Sequence, residues 1–318
     1  MLDELDRGLV HALQLDGRAP FARIAEVLGV SEHTVARRYR RLRSAGVLRV
    51  VGAVDGFRLG YASWTVRLRC TPDAAGAIAG ALARRPDTFW VHVLSGGTEI
   101  SCNLQAGSAA ERDGFLLEKL PGTRRVLGMS AHSMLQGFAG PSGWAGLAAL
   151  DANQVAALRL DPPEVDDELV ELAGGDRAVL AALAGDGRLG HAELAASSGL
   201  SESTVRRRIG QLRERGVLSL QVEISPVELG YRAEARLWMS VRPSAVVAVA
   251  QALAGHAEVS FCAVTTGPSN VVAAVICRDS RHLYRYLTER VGALPDIDRV
   301  EAAPLIRTVK RNGAVLPV

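Results

Sequence analysis

The sequence predicts an α+β chain in which one plan is built twice. Each copy is a helix-turn-helix unit followed by a ferredoxin-like domain in the order β-α-β-β-α-β. Three observations carry this. The stretch SEHTVARRYRRLRSAGVL at 31–48 returns 170 positions later as SESTVRRRIGQLRERGVL at 201–218, identical at eleven of eighteen positions. A shorter helical segment and a glycine turn precede each stretch at the same spacing. Alternating apolar runs and Ala-rich helical segments follow each stretch in one shared order.

Ser31 and Ser201 suit the N-cap position, because a short hydroxyl bonds the free N–H groups of a first helical turn. Behind them Val35, Tyr39 and Leu42, and then Val205, Ile209 and Leu212, fall at i, i+4 and i+7, one apolar stripe per helix. Gly46 and Gly216 end the helices. Upstream, 21–28 and 191–198 predict a second helix, joined through Gly29-Val30 and Gly199-Leu200. The spacing Ala25, Gly29, Val35 recurs as Ala195, Gly199, Val205. A small Ala lets two helices cross closely, Gly permits the turn, and Val plugs the gap. The second helix of such a unit is the one that enters the major groove of DNA. A generic helical hairpin with a solvated Arg face explains one copy, but two copies with the same punctuation favour the DNA-binding reading.

At 318 residues the chain is long enough for two or more domains, and 48% hydrophobic content supplies their cores. The net charge of +3 says little about partners. Its distribution says more: residues 31–49 hold six Arg against the single acid Glu32, a local footprint of nucleic-acid binding. Cys70, Cys102, Cys262 and Cys277 each lie in an apolar run with no C-x-x-C pair, so they predict core thiols rather than a metal site or disulfides. No secretory pattern and no membrane-length apolar run occur, which predicts a soluble cytoplasmic protein with no membrane partner. No nucleotide loop, catalytic triad or zinc spacing is present.

In chain order, 5–15 is an amphipathic first helix ending at Asp16-Gly17-Arg18, matched by 177–184 and Asp186-Gly187-Arg188. Residues 49–54 predict a strand that serves as wing or tether. Leu59-Gly60-Tyr61 keeps the 170 offset with Leu229-Gly230-Tyr231. The first domain then reads 63–70, 72–84, 89–94, 99–105, 109–120 (stopped by Pro121-Gly122) and 126–135. The second reads 233–241, 245–254, 259–264, 271–277, 280–291 and 300–309. Residues 137–175, Gly-rich and then acidic after Asp161-Pro162-Pro163, read as a linker with a short helix at 151–158. The predicted boundaries are 1–55, 59–136, 137–175, 176–225 and 229–318.

Asp6-Arg7, Asp16-Gly17-Arg18, the A-x3-G-x5-V helix-turn-helix, the G-V-L endings and the β-α-β-β-α-β domains together resemble the Lrp/AsnC (feast/famine) family of regulators, here with its unit twice in one chain. The resemblance covers nearly everything but the linker. It implies DNA-binding domains of winged type, and effector and oligomerisation domains whose sheets pair back to back. A small effector such as an amino acid, and a homo-oligomer, are implied as partners, with no cofactor. A tandem chain forms the pair internally, with two recognition helices on a pseudo-two-fold axis and half-sites roughly 10 base pairs, or a multiple, apart.

His33, Thr34 and Arg37, near the helix start on one exposed side, are candidates for base edges of double-stranded DNA. Arg38, Arg40 and Arg41 are candidates for phosphate. The second copy offers Ser203, Thr204 and Arg207 for bases, and Arg206 and Arg208 for phosphate. Arg38 and Arg208 have an alternative, pairing with an acid of their own domain. Gly210-Gln211 replaces Arg40-Arg41, which predicts weaker and less salt-dependent binding by the second copy. The family often carries G-x-x-D between its central strands. Here Gly96-Gly97-Thr98-Glu99 and Gly267-Pro268-Ser269-Asn270 alter both Asp positions, so Gly96, Gly97, Glu99, Gly267 and Asn270 are candidates for effector contact, against a plain hairpin turn.

Two alternatives stand beside the regulator. One is an enzyme: some sirohaem decarboxylases share this two-part architecture, and their chemistry needs His or Arg converging on a tetrapyrrole. The seven His form no repeated set, and His92 has Ala263 at the matching place. The other is a structural homologue without DNA binding, against which the retained Arg faces argue.

Overall fold

A computed structural model describes residues 2–119, 125–140, 144–160, 163, 168–311 and 314–315. The predicted helix stop Pro121-Gly122 and, in the predicted linker, Gly143, Asp161-Pro162, Glu164, Asp166 and Asp167 lie outside the described residues.

The first copy runs α1 (Glu4–Leu15), α2 (Phe21–Leu28), α3 (Glu32–Ser44), β1 (Leu48–Val54), β2 (Ala62–Cys70), α4 (Pro72–Ala83), β3 (Thr88–Leu94), β4 (Glu99–Ala106), α5 (Ala109–Asp113) and β5 (Val126–Ala139). A short α6 (Ala152–Leu158) follows. The second copy runs α7 (Asp176–Gly185), α8 (His191–Ser198), α9 (Glu202–Glu214), β6 (Leu218–Ile224), β7 (Ala233–Val241), α10 (Val246–Ala254), β8 (Val259–Thr265), β9 (Val271–Cys277), α11 (Ser280–Arg285) and β10 (Ile297–Arg311).

Like domains pair with like, so the chain forms two compact units that each draw on both copies: 1–60 with 147–229, and 61–146 with 230–318. In the first unit β1 is neither a free wing nor a tether. It pairs antiparallel with β6, Leu48 opposite Ile224 and Val54 opposite Leu218. Gly17 sits against this ribbon, where a Cβ would come within 2.9 Å of Leu220 and Val50. That close approach is the reason for the central Gly of each Asp-Gly-Arg turn. The linker segment is docked rather than loose. His11 Nδ1 accepts from the N–H of Ala149 and Leu150, both at 3.0 Å, and Gln154 donates to Val27 O.

In the second unit each last strand is longer than its apolar pattern predicts, because bulges carry it out of its own sheet. β5 pairs with β2 over Val126–Ser133 and then with β8 from Met134 to Ala139. β10 pairs with β7 over Ile297–Pro304 and then with β3 from Leu305 to Lys310. The result is a closed antiparallel ring, β10-β3-β4-β2-β5-β8-β9-β7, returning to β10. Alternation sends Val66, Leu68, Val91 and Ile100 to one helix-covered core, and Leu237, Met239, Val271 and Val275 to the other. Leu94, Trp238, Val272 and Ala303 cluster inside the ring.

Candidate nucleic-acid interface

Each recognition helix is seated by its buried stripe: Val35, Tyr39 and Leu42 in α3, and Val205, Ile209 and Leu212 in α9. Ser31 Oγ accepts from Thr34 N–H and Ser201 Oγ from Thr204 N–H, each at 3.2 Å, as the N-cap pattern predicts. The Thr hydroxyls lie 2.9 and 2.8 Å from the same Ser oxygens, which occupies them and leaves their methyl groups for apolar contact. Gly29 and Gly199 turn with φ of 65° and 71°, a left-handed conformation open to glycine.

The Arg faces divide into anchored and open groups. Asp6 and Asp176 are 1% and 0% exposed, and a buried carboxylate requires a cation. Arg38 donates to Asp3 at 2.5 Å and Asp6 at 2.9 Å. Arg208 Nε donates to Asp176 at 2.8 Å, and its Nη1 to Gln211 Oε1 at 3.0 Å. Both arginines tie the recognition helix to the first helix of its own copy, the alternative that the sequence left open for them. Arg41 also bonds Asp6, at 2.6 Å, from an exposed side chain. His33, Arg37 and Arg40 in the first copy, and Ser203, Arg206 and Arg207 in the second, are exposed. Among the described residues neither Arg37 nor Arg207 has an ion-pair partner.

A further set escaped sequence reasoning. Arg43 on α3 pairs with Asp186 at 2.5 Å, and Arg213 on α9 pairs with Asp16 at 3.2 Å. Arg18 donates to the carbonyls of Gly187 and Leu189, and Arg188 to those of Gly17 and Ala19. The 170 offset between 43 and 213, and between 16 and 186, was the available signal. Arg188 also lies over the rings of Phe21 (4.4 Å) and Tyr39 (5.4 Å). His191 and Ile209 replace those rings in the second copy, so the two interfaces differ.

The effector candidates are engaged internally. Glu99 is 8% exposed; Arg67 donates to it at 2.6 Å and Ser95 at 3.2 Å. Asn270 clamps β7, accepting from Val241 N–H at 2.9 Å and donating to Val241 O at 2.8 Å. Gly96, Gly97 and Gly267 have φ of 68°, 88° and 98°, which fits turn geometry. These bonds give Glu99 and Asn270 partners within the protein, as the plain hairpin-turn alternative expects. Among the described residues no group of three or more His, Cys, Asp or Glu could hold a metal ion, and no helix is long and apolar enough to cross a membrane.

Paired helix-turn-helix domains are joined to paired ferredoxin-like domains. The AsnC-type helix-turn-helix domain matches residues 2–43, a winged helix-turn-helix DNA-binding domain 176–219, and the Lrp/AsnC ligand binding domain 234–315. The HTH-type transcriptional regulator PH0140 of Pyrococcus horikoshii is 31% identical over 145 residues, 45% of this chain and 91% of its own. Ptr1 of Methanocaldococcus jannaschii, also an HTH-type transcriptional regulator, is 29% identical over 144 residues, 45% of this chain and 97% of its own. The chain belongs to the Lrp/AsnC family of helix-turn-helix transcriptional regulators, and about half of it spans nearly the whole of each of these relatives. The siroheme decarboxylase NirDL shares the fold over 97% of this chain and 93% of its own, with a TM-score of 0.60 and 17% identity. That likeness is one of fold.

Proposed function

We propose that this regulator reads a specific operator with both recognition helices of one chain, and that the two readings are unequal. The observation behind this is that Arg37 and Arg207 stand at matching, exposed positions without acidic partners, while Arg38 and Arg208 anchor their helices. Arg37 and Arg207, with His33, Thr34, Ser203 and Thr204, face base edges; Arg donates bidentately to guanine. Arg40, Arg41 and Arg206 face phosphate, and Arg41 reaches it from its Asp6 bond. Gly210 and Gln211 leave the second copy less cationic.

In this reading the chain works in the cytoplasm as a regulator rather than an enzyme and answers a small molecule such as an amino acid. It also self-associates. Leu127, Met129 and Leu135 on β5, and Val300 and Ile306 on β10, are exposed apolar side chains on the two exchanged strands, suited to a second copy. Footprinting on a duplex enriched from a random pool tests the reading. Two protected patches about one helical turn, or a multiple, apart are expected; one unrepeated patch contradicts it.

A further inference from the structure

Residues 147–160 form a strap over the first helix-turn-helix copy. Leu147 and Leu158 near its ends are buried, and α6 packs against α1 and α2. Gln154 bridges strap and domain: its Oε1 accepts from Asp151 N–H at 3.1 Å, and its Nε2 donates to Val27 O at 2.9 Å. Arg23 Nε donates to Ala157 O at 3.0 Å. Gly8 leaves room for Leu150, whose Cδ2 lies 3.7 Å from the place of a Cβ.

One contact of the strap depends on protonation. His11 on α1 is 8% exposed, and its Nδ1 receives the N–H groups of both Ala149 and Leu150, each at 3.0 Å. That nitrogen accepts only while it carries no hydrogen. Once protonated, the imidazole turns an N–H toward two backbone N–H groups, and both lose their acceptor. At the 170 offset Gly8, His11 and Arg23 become Ala178, Ala181 and Glu193, so the second copy lacks the groups that hold the strap.

The elements around His11 carry charges of both signs. On α1 itself, Arg7 donates to Leu229 O, and Asp6 holds Arg38 and Arg41 of α3. Packed against α1, α2 brings Arg23 and Glu26, β6 brings Glu223, and Arg159 ends α6. Burial, and then the Arg159 charge, lower His11 from its ordinary 6.5, so it is neutral at pH 7. A base depressed in the docked state keeps its docking contribution above 6.5 and loses it as pH falls below that value.

We propose that His11 is a pH-operated latch, which on protonation in mildly acidic solution releases the 147–160 strap from the first helix-turn-helix copy and leaves the second copy unchanged. Release frees Arg23 and the α2 carbonyl of Val27, so the device acts on the copy with the larger Arg face. The latch stands whether or not the chain reads DNA, and its test needs none.

The test is hydrogen exchange of the full chain at pH 7.5, 6.5 and 5.5, read by mass spectrometry on peptides within 147–158 and corrected for the intrinsic pH dependence of exchange. All three values lie above the ordinary carboxylate range. Wild-type protection of the strap should fall about tenfold between pH 7.5 and 5.5, as uptake of one proton below 6.5 requires, while α9 keeps its protection. His11→Asn sets an amide oxygen near the place of Nδ1 and does not titrate here, so its strap should stay protected throughout. His11→Ala, which puts in place the residue that α7 already carries, should fold and leave the strap weakly protected at all three values. The proposal is overturned if wild-type protection stays flat, if α9 loses protection in parallel, if His11→Asn falls as wild type does, or if His11→Ala keeps full protection.

Discussion

Arg18 and Arg188 each reach into the other's turn. Arg18 donates to Gly187 O and Leu189 O, both at 2.9 Å, and Arg188 to Gly17 O at 2.7 Å and Ala19 O at 3.1 Å. The Asp-Gly-Arg turns are therefore the joint between the two helix-turn-helix copies. Gly admits the β-ribbon, Arg bonds the opposite turn, and Asp takes the opposite recognition helix's Arg43 or Arg213.

Arg18→Ala or Arg188→Ala should each destabilise the unit by about 1.5–3 kcal/mol, the range for hydrogen bonds from a charged donor. Arg188→Ala should have the larger effect, because it also loses the Phe21 and Tyr39 faces. Denaturant midpoints of the two single variants check the order; equal midpoints within error would contradict it.

Acid should loosen the second recognition helix. Burial raises the Asp176 carboxyl, but the bonds from Arg208 and Ala173 outweigh this, and the net shift is down from the ordinary 3.8. A depressed carboxylate contributes stability that is complete above its unfolded value and lost as pH falls below it. Unfolding followed from pH 6 to 2 should therefore steepen below about 4 in wild type, and Asp176→Asn should flatten that slope. An unchanged slope would show that the Arg208 pair contributes nothing.

Gly210 lies inside α9 with nothing within 4 Å of a built Cβ. Gly210→Ala should raise stability by about 1 kcal/mol without altering DNA contacts. Arg40→Ala should leave stability alone and reduce the salt slope of DNA binding by about 1. Thermal unfolding and salt-titrated anisotropy read the two effects separately.

Asn270→Ala should destabilise the ring by about 1–3 kcal/mol, since both Val241 backbone groups lose a partner. A role in ligand capture alone would leave the Tm unchanged.

The parts of the fold governed by local periodicity were legible in the sequence. The stripes Val35, Tyr39, Leu42 and Val205, Ile209, Leu212, the Ser caps and the turn glycines all stand where spacing places them. Strand exchange was hidden, because a 14-residue β5 serving two sheets shows loose alternation once bulges shift its register. The sorting of the Arg face was hidden for another reason. Arg37 and Arg38 are neighbours in sequence, and only the burial of Asp6 decides which of them is anchored.

The central claim, that both halves of one chain read DNA, is tested most directly by salt-titrated binding to an enriched duplex for wild type, Arg37→Ala and Arg207→Ala. The account predicts steep salt dependence and a loss of about 1–3 kcal/mol from each substitution, with the larger loss at Arg37. Unchanged affinity for both variants would contradict it, and an effect of Arg37→Ala alone would leave the second copy a structural partner.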